Sequence, residues 1–213
     1  MRRADRGRRP RGLPCFAGLD LGQRDDFSAL ALVFLLPDGR MAVRMRYWVP
    51  EAILTTAPHR RPYAHWRSLG LLAITQGTRI DDDQVEAEVI ELCQRWAVRS
   101  SPMTPSSPSR CRSISRGRGS RPSRCRRATS SMRPSGRSRA LVSRRQLAHG
   151  GDPVLAWMVS NVALRRGMRG EVRLDKEHAA EKIDGVAALA MALARAIVTP
   201  GGSVYDGRGV LVL

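Results

Sequence analysis

Lysine is almost absent from this chain. Among 37 basic residues, only Lys176 and Lys182 are lysines, and neither sits in a glycine-rich loop. No G-x-x-x-x-G-K-[ST] stretch occurs, which excludes a nucleotide-gripping phosphate loop of that kind from these 213 residues. Cysteine is sparse too. Cys15, Cys93, Cys111 and Cys125 make no C-x-x-C pair, and no His/Cys spacing has the form of a zinc site. Cys15 and Cys93 fall on apolar faces and are expected in the core. No apolar run is long enough to span a bilayer, and the Arg-rich start lacks the apolar stretch of a secretory signal. No membrane association is therefore expected, and the default compartment is the cytoplasm. Acidic residues are missing from one long stretch, with none between Glu91 and Asp152.

What is present is unevenly spread. The formal net charge is +18 at pH 7. Residues 1–12 hold six Arg and one Asp, and residues 101–145 hold thirteen Arg and no acid, so these segments contribute +5 and +13. The remainder sums to zero, and the basic character belongs to two segments rather than to the fold. Residues 101–145 also hold thirteen Ser and five Pro with few large apolar side chains, too little to offset chain entropy. The chain divides accordingly: a basic disordered start at 1–12, a first globular part at 13–99, an Arg/Ser/Pro-rich segment at 100–146, a closing globular part at 147–198 and a tail at 199–213.

Residues 15–21 and 28–36 read as buried strands. "PDGR" at 37–40 is a turn signal, and 41–49 alternates as a third strand, so three antiparallel neighbours are expected. Breakers and aromatics in 50–70 suggest short helical pieces, and 71–76 a further short strand. Residues 80–98 form the clearest helix, with Asp81 to Asp83 supplying the cap and first-turn acids. Asp152 or Pro153 opens a short helix, and 159–164 is expected as an edge strand. The Ala-rich run after "EKIDG" closes the chain as a helix, with Ile183, Ala187, Ala190, Ala194 and Ile197 expected on its buried face.

Two aspartates stand out against this frame. Asp20 lies between Leu19 and Leu21, where an ionised carboxylate in a core is costly unless a cation neutralises it. It is either a strand-end Asp bonded to backbone or a metal ligand. Asp184 sits in the first turn of the closing helix, where the macrodipole alone would favour an acid.

The stretches "FAGLDLGQRDDFSALALVF", "YWVPEAIL", "PYAHWRSLGLLAITQGTRIDDDQVEAEVIELCQRWAV", "LAHGGDPVLAWMVSNVALRR" and "DKEHAAEKIDGVAALAMALARA" cover residues 15–99 and 147–197. As an ordered set they resemble the nuclease domain of phage large terminase subunits. The resemblance implies an α/β, RNase H-like mixed sheet flanked by helices, and a metal-dependent DNA endonuclease that acts in viral genome packaging. It implies Asp20 and Asp184 as catalytic metal ligands, with Asp26 as a further acid near the metals and Asp25 its register alternative. Asn161, Lys176 and Lys182 fall in family-like positions and are candidate contacts to DNA. The implied cofactors are two divalent ions, Mg²⁺ or Mn²⁺, ~3.5–4 Å apart. The implied partners are double-stranded DNA, the terminase small subunit and the portal, in a bacterial host cell, from a phage or prophage gene.

The chain departs from that family in two ways. The strand after residue 98, which should end in another catalytic acid, is replaced by "SSPMTPSSPSRCRSISRGRGSRP", so one central strand is expected to be missing. Because the spacing to "LAHGGDP" is retained, residues 100–146 read as a reading-frame excursion, with a genuine basic insert as the alternative. The coding DNA across 95–150, read in three frames, decides between them. The packaging ATPase is expected to be missing, since these residues hold no such phosphate loop, and residues 1–12 read as a spurious or truncated start. With one ligand missing, weak or no nuclease activity is expected. Three other readings remain open: an actin-like or sugar-kinase ATPase on "DLG", another RNase H-like enzyme of resolvase or transposase type, and a non-enzymatic nucleic-acid binder driven by the Arg/Ser segment.

Overall fold

The structure is a computed structural model that describes residues 12–22, 27–56, 62–99, 103–104, 136–167 and 172–198. Its centre is a meander of three antiparallel strands, β1 (Cys15–Asp20), β2 (Ser28–Leu35) and β3 (Met41–Pro50). The β2–β3 register runs from Ser28 opposite Trp48 to Leu35 opposite Met41. It is closed by the expected turn, in which Gly39 has a positive φ of 79° and the Asp38 carboxylate accepts from the Arg40 amide at 3.0 Å. On the outer edge of β3, two parallel strands share the space: β4 (Leu72–Thr75) beside residues 47–50, and β6 (Leu147–Ala148) beside 41–42.

At the opposite edge lies β5 (Met103–Thr104), parallel to β1 with Leu19 opposite Met103 and Asp20 opposite Thr104. The strand expected to be missing is therefore present as a two-residue remnant. Its flanks are Pro102 and Pro105, which have no N–H to donate to a ladder. The resulting order is β4-β3-β2-β1-β5, with β6 also on β3. This is the mixed sheet, flanked by helices, that the RNase H-like resemblance implies.

Both faces of the sheet are covered, which is why all six residues of β1 are buried. Alternation sends Cys15, Ala17 and Leu19 to one face, where they pack with Val85, Val89 and Cys93 of α3 (Asp82–Arg95). Asp81 caps α3, its carboxylate accepting from the amides of Asp83 and Gln84 at 3.0 Å. The other face carries Phe16 and packs against α1 (Ile53–Thr56), α2 (Tyr63–Ser68), α5 (Pro153–Ser160) and α6 (Asp184–Val198). Within the segment 100–146, residues 136–143 form α4 (Gly136–Ser143), whose Leu141 packs on that same core.

Two expectations are corrected. Residues 159–164 are not an edge strand: α5 runs on to Ser160, and the strand that follows, β7 (Ala163–Arg166), pairs with β8 (Val172–Asp175) in a separate two-stranded ribbon. The turn at Asn161 separates helix from strand, and a short apolar run does not reveal where that break falls. The buried face of α6 is also rotated. Ile183 and Ala187 are buried as expected, but Ala190, Ala194 and Ile197 are half-buried, and Ala188, Ala192 and Ala196 form the tightly packed line. Alanine is apolar on every side, so its spacing does not decide which side meets the sheet.

Candidate functional site

The last residue of β1 and the first of α6 are both aspartates, and the packing between those elements brings them together. Gly18, two residues before Asp20, makes the approach possible. A Cβ there would lie 2.1 Å from the carbonyl oxygen of Ala188 and 2.6 Å from the amide nitrogen of Ala192. Only glycine lets the α6 backbone rest on β1 this closely. Gly18 and Asp20 share the face of β1 that meets α6. Asp20 and Asp184 are 2 % and 3 % exposed.

Tyr47 and Met158 pack beneath the start of α6. A Cβ on Gly185 would come within 2.8 Å of the Met158 sulfur and 2.9 Å of the Tyr47 ring, and the Gly185 amide donates to that sulfur at 3.1 Å. The Tyr47 hydroxyl donates to Asp152 Oδ2 at 3.4 Å. Asp152 in turn caps α5 through the amides of Val154 and Leu155 at 2.9 and 3.0 Å, with Pro153 in the first turn. Burial, and then the Asp152 charge, pushes the Tyr47 phenol far above its ordinary range.

Between the two aspartates stands Lys176. Its Nζ lies 2.6 Å from Asp20 Oδ2 and 2.8 Å from Asp184 Oδ1, so one ammonium bridges two buried carboxylates. Lys176 directly follows β8. There Asp175 Oδ1 accepts from the amides of Glu177 and His178 at 3.1 and 3.3 Å, and its Oδ2 meets His178 Nδ1 at 3.0 Å. These bonds fix the turn that sends Lys176 back towards the sheet. Burial alone would lower the Lys176 pKa, but the charges of Asp20 and Asp184 reverse that and raise it.

Asp20 and Asp184 are brought together. Asp26, with its alternative Asp25, lies outside the described residues. Asn161 is buried at the end of α5. Its side-chain amide donates to the Lys182 carbonyl at 3.4 Å, and its own carbonyl accepts from the Ala180 amide at 3.1 Å. It thereby ties down the segment that carries the half-buried Lys182 into α6. The position in register with Asp20 on β5 is Thr104.

Sequence reasoning did not find the bridging role of Lys176. One signal was available: in a chain that otherwise uses arginine, both lysines fall within seven residues of each other, just before Asp184. Asp175, Glu177 and His178 form a second group of possible ligand atoms, all within 4.8 Å of one another. The Asp175 oxygens are already engaged inside the turn, and Glu177 and His178 are exposed.

A family model described as terminase large subunit, endonuclease domain, matches residues 9–199. The chain is 29 % identical over 211 residues to the large subunit of the terminase of Enterobacteria phage HK97, covering 90 % of this chain and 39 % of that protein. It is 25 % identical over 200 residues to the protein YmfN of Escherichia coli, covering 88 % and 44 % respectively. The crystal structure of the HK97 bacteriophage large terminase superimposes with a TM-score of 0.72 at 27 % identity, over 86 % of this chain and 39 % of that one. The chain thus spans about two fifths of the length of the curated relatives it matches. With one carboxylate at the end of β1, a second at the start of α6 and the family model covering nearly the whole chain, the protein belongs to the terminase large subunit endonuclease-domain family.

Proposed function

We propose that this chain is a divalent-cation-dependent phosphodiester hydrolase that acts on double-stranded DNA in viral genome packaging. The observation that carries this reading is the convergence of Asp20 and Asp184, two buried carboxylates from distant parts of the chain, on one cation. Two buried carboxylates side by side are costly without a positive charge between them, and hard divalent ions such as Mg²⁺ or Mn²⁺ prefer oxygen ligands. The pair therefore fits a divalent ion, which Asp20 and Asp184 would hold together. Two ions would need further carboxylates, which makes Asp26 the candidate for a second. A bound ion of this kind supplies an activated water and stabilises the charge on the leaving oxygen.

The chain's own residues supply the rest. Asp20 is fixed by β1 and Asp184 by the packing of α6 on Gly18, so the ligand oxygens are held by rigid elements. Arg165, Arg166 and Arg173 are exposed on the β7–β8 ribbon, which leads directly into Lys176. Guanidinium groups suit phosphate oxygens, so this ribbon is assigned the DNA backbone. Lys182 is assigned a neighbouring phosphate, with Asn161 positioning its segment. In the whole machine the partners are the terminase small subunit and the portal, and the setting is the cytoplasm of a bacterial host, from a phage or prophage gene. Among the described residues, no helix is long and apolar enough to cross a membrane.

Because position 104 is Thr, the third carboxylate is lacking opposite Asp20, and cleavage is expected to be weak or absent. Supercoiled-plasmid nicking with Mn²⁺ tests the reading. The unchanged chain should nick little. Thr104→Asp should raise nicking at least about tenfold, equivalent to ~1.4 kcal/mol of barrier, and Asp20→Asn or Asp184→Asn added to it should abolish the gain. Nicking that persists in EDTA, or that survives both Asn substitutions, refutes the assignment.

A further inference from the structure

The position of Lys176 implies more than charge balance, given the reading of Asp20 and Asp184 as cation ligands on which this inference rests. The two carboxylates lie at hydrogen-bond distance from a single nitrogen. A divalent ion held by both would need the same oxygens. An ammonium and a metal ion cannot occupy one place at contact distance, because like charges there repel strongly in a site shielded from water. An ammonium is also a compact, one-centre cation, unlike the planar guanidinium that supplies nearly all of this chain's other positive charge.

We propose that Lys176 is a built-in competitor for the metal. Its ammonium occupies the cation position between Asp20 and Asp184 when no metal is bound, and it must leave before a divalent ion can be held by both carboxylates. Lys176 thereby sets the metal concentration at which the site loads, and it offsets part of the two aspartates' charge in the metal-free protein. The geometry provides both halves of the exchange. The Asp175 turn delivers the side chain from a fixed backbone, so the ammonium is present at high effective concentration. The Lys176 side chain is 41 % exposed, in contrast to 3 % and 5 % for its partners, so rotation of its own bonds releases it to solvent without moving β8.

The test uses the full chain. Calorimetric titration with Mn²⁺ and with Mg²⁺ compares the unchanged protein with Lys176→Gln, and thermal melts are run in EDTA and in metal. The variant should bind Mn²⁺ at least about tenfold more tightly, should melt lower than the unchanged protein in EDTA, and should regain that loss when metal is added. A second measurement needs no variant. Because only two lysines exist, side-chain ¹⁵N labelling of lysine gives two ammonium signals, and Mg²⁺ should shift the Lys176 signal towards that of a solvated ammonium. This measurement decides the matter if Lys176→Gln does not fold. Equal affinities in the two proteins, or a Lys176 signal unmoved at saturating Mg²⁺, overturn the competition and leave the metal site standing. Absence of binding in both proteins, or binding unchanged by Asp184→Asn, overturns the competition and the metal reading together.

Discussion

Gly18 is the residue on which the site's assembly most depends. The atoms that a Cβ would strike are backbone atoms of Ala188 and Ala192, which no rotamer change can move aside. Gly18→Ala should therefore fall at the upper end of overpacking costs, about 3 kcal/mol, and urea unfolding measures it. An effect below ~1 kcal/mol would mean that α6 can lift off β1 cheaply. Tyr47 makes a second residue-scale prediction. The folded state holds its phenol neutral, while an unfolded tyrosine ionises near pH ~10. A folded pKa raised in this way gives stability that is complete below pH ~10 and declines as pH rises beyond it. The slope is about 1.4 kcal/mol per pH unit for the one group. Lys176 acts in the same sense above pH ~10.4, because its folded pKa is raised as well. Tyr47→Phe should remove the phenol's share of the alkaline slope and cost about 1 kcal/mol at pH 7 through the missing Asp152 bond. Unfolding free energies measured from pH 8 to 11 check both numbers, and an unchanged slope counts against the buried neutral phenol.

At the scale of elements, the local signals were the most faithful. Asp81 caps α3 and Asp152 caps α5 as their sequence context implies, because a cap is made within a few residues of chain. The β7–β8 ribbon had no such signal. Its register sets Arg165 directly opposite Arg173, and two exposed guanidinium groups side by side suit the phosphates of a polyanion. Replacing both arginines by Ala should weaken DNA binding to a similar degree for all sequences. It should also flatten the log–log salt dependence by about 2, one unit for each phosphate no longer neutralised. Fluorescence anisotropy over a salt series reads this, and an unaltered salt slope would place the DNA elsewhere.

At the scale of the whole molecule, the charge is separate from the fold. Residues 105–135 carry nine arginines and no acid, while the aspartate cluster is built from β1, the turn after β8 and the start of α6. Exchanging 105–135 for a short Gly/Ser linker should lower DNA affinity at low salt, yet leave binding through the ribbon measurable in the same assay. Complete loss of binding, in a chain without nuclease activity before or after the exchange, would favour the non-enzymatic nucleic-acid binder over the endonuclease.

The order of amino acids is enough to specify the three-stranded meander, the capped helix α3, the closing helix and the identities of Asp20 and Asp184. Alternation, turn chemistry and caps are properties of neighbouring residues, and an acid inside an apolar strand is conspicuous wherever it occurs. Three-dimensional packing alone selects which side of α6 meets the sheet, because its alanines are alike on every face and the choice is made by the empty space at Gly18. Packing also sets Thr104 in register with Asp20 and pairs β7 with β8 rather than with the main sheet. The bridging of Asp20 and Asp184 by Lys176 belongs to this second class. The lysine is 8 residues from Asp184, where the clustering of the two lysines is visible in sequence, but 156 from Asp20, and that contact leaves no local pattern to read.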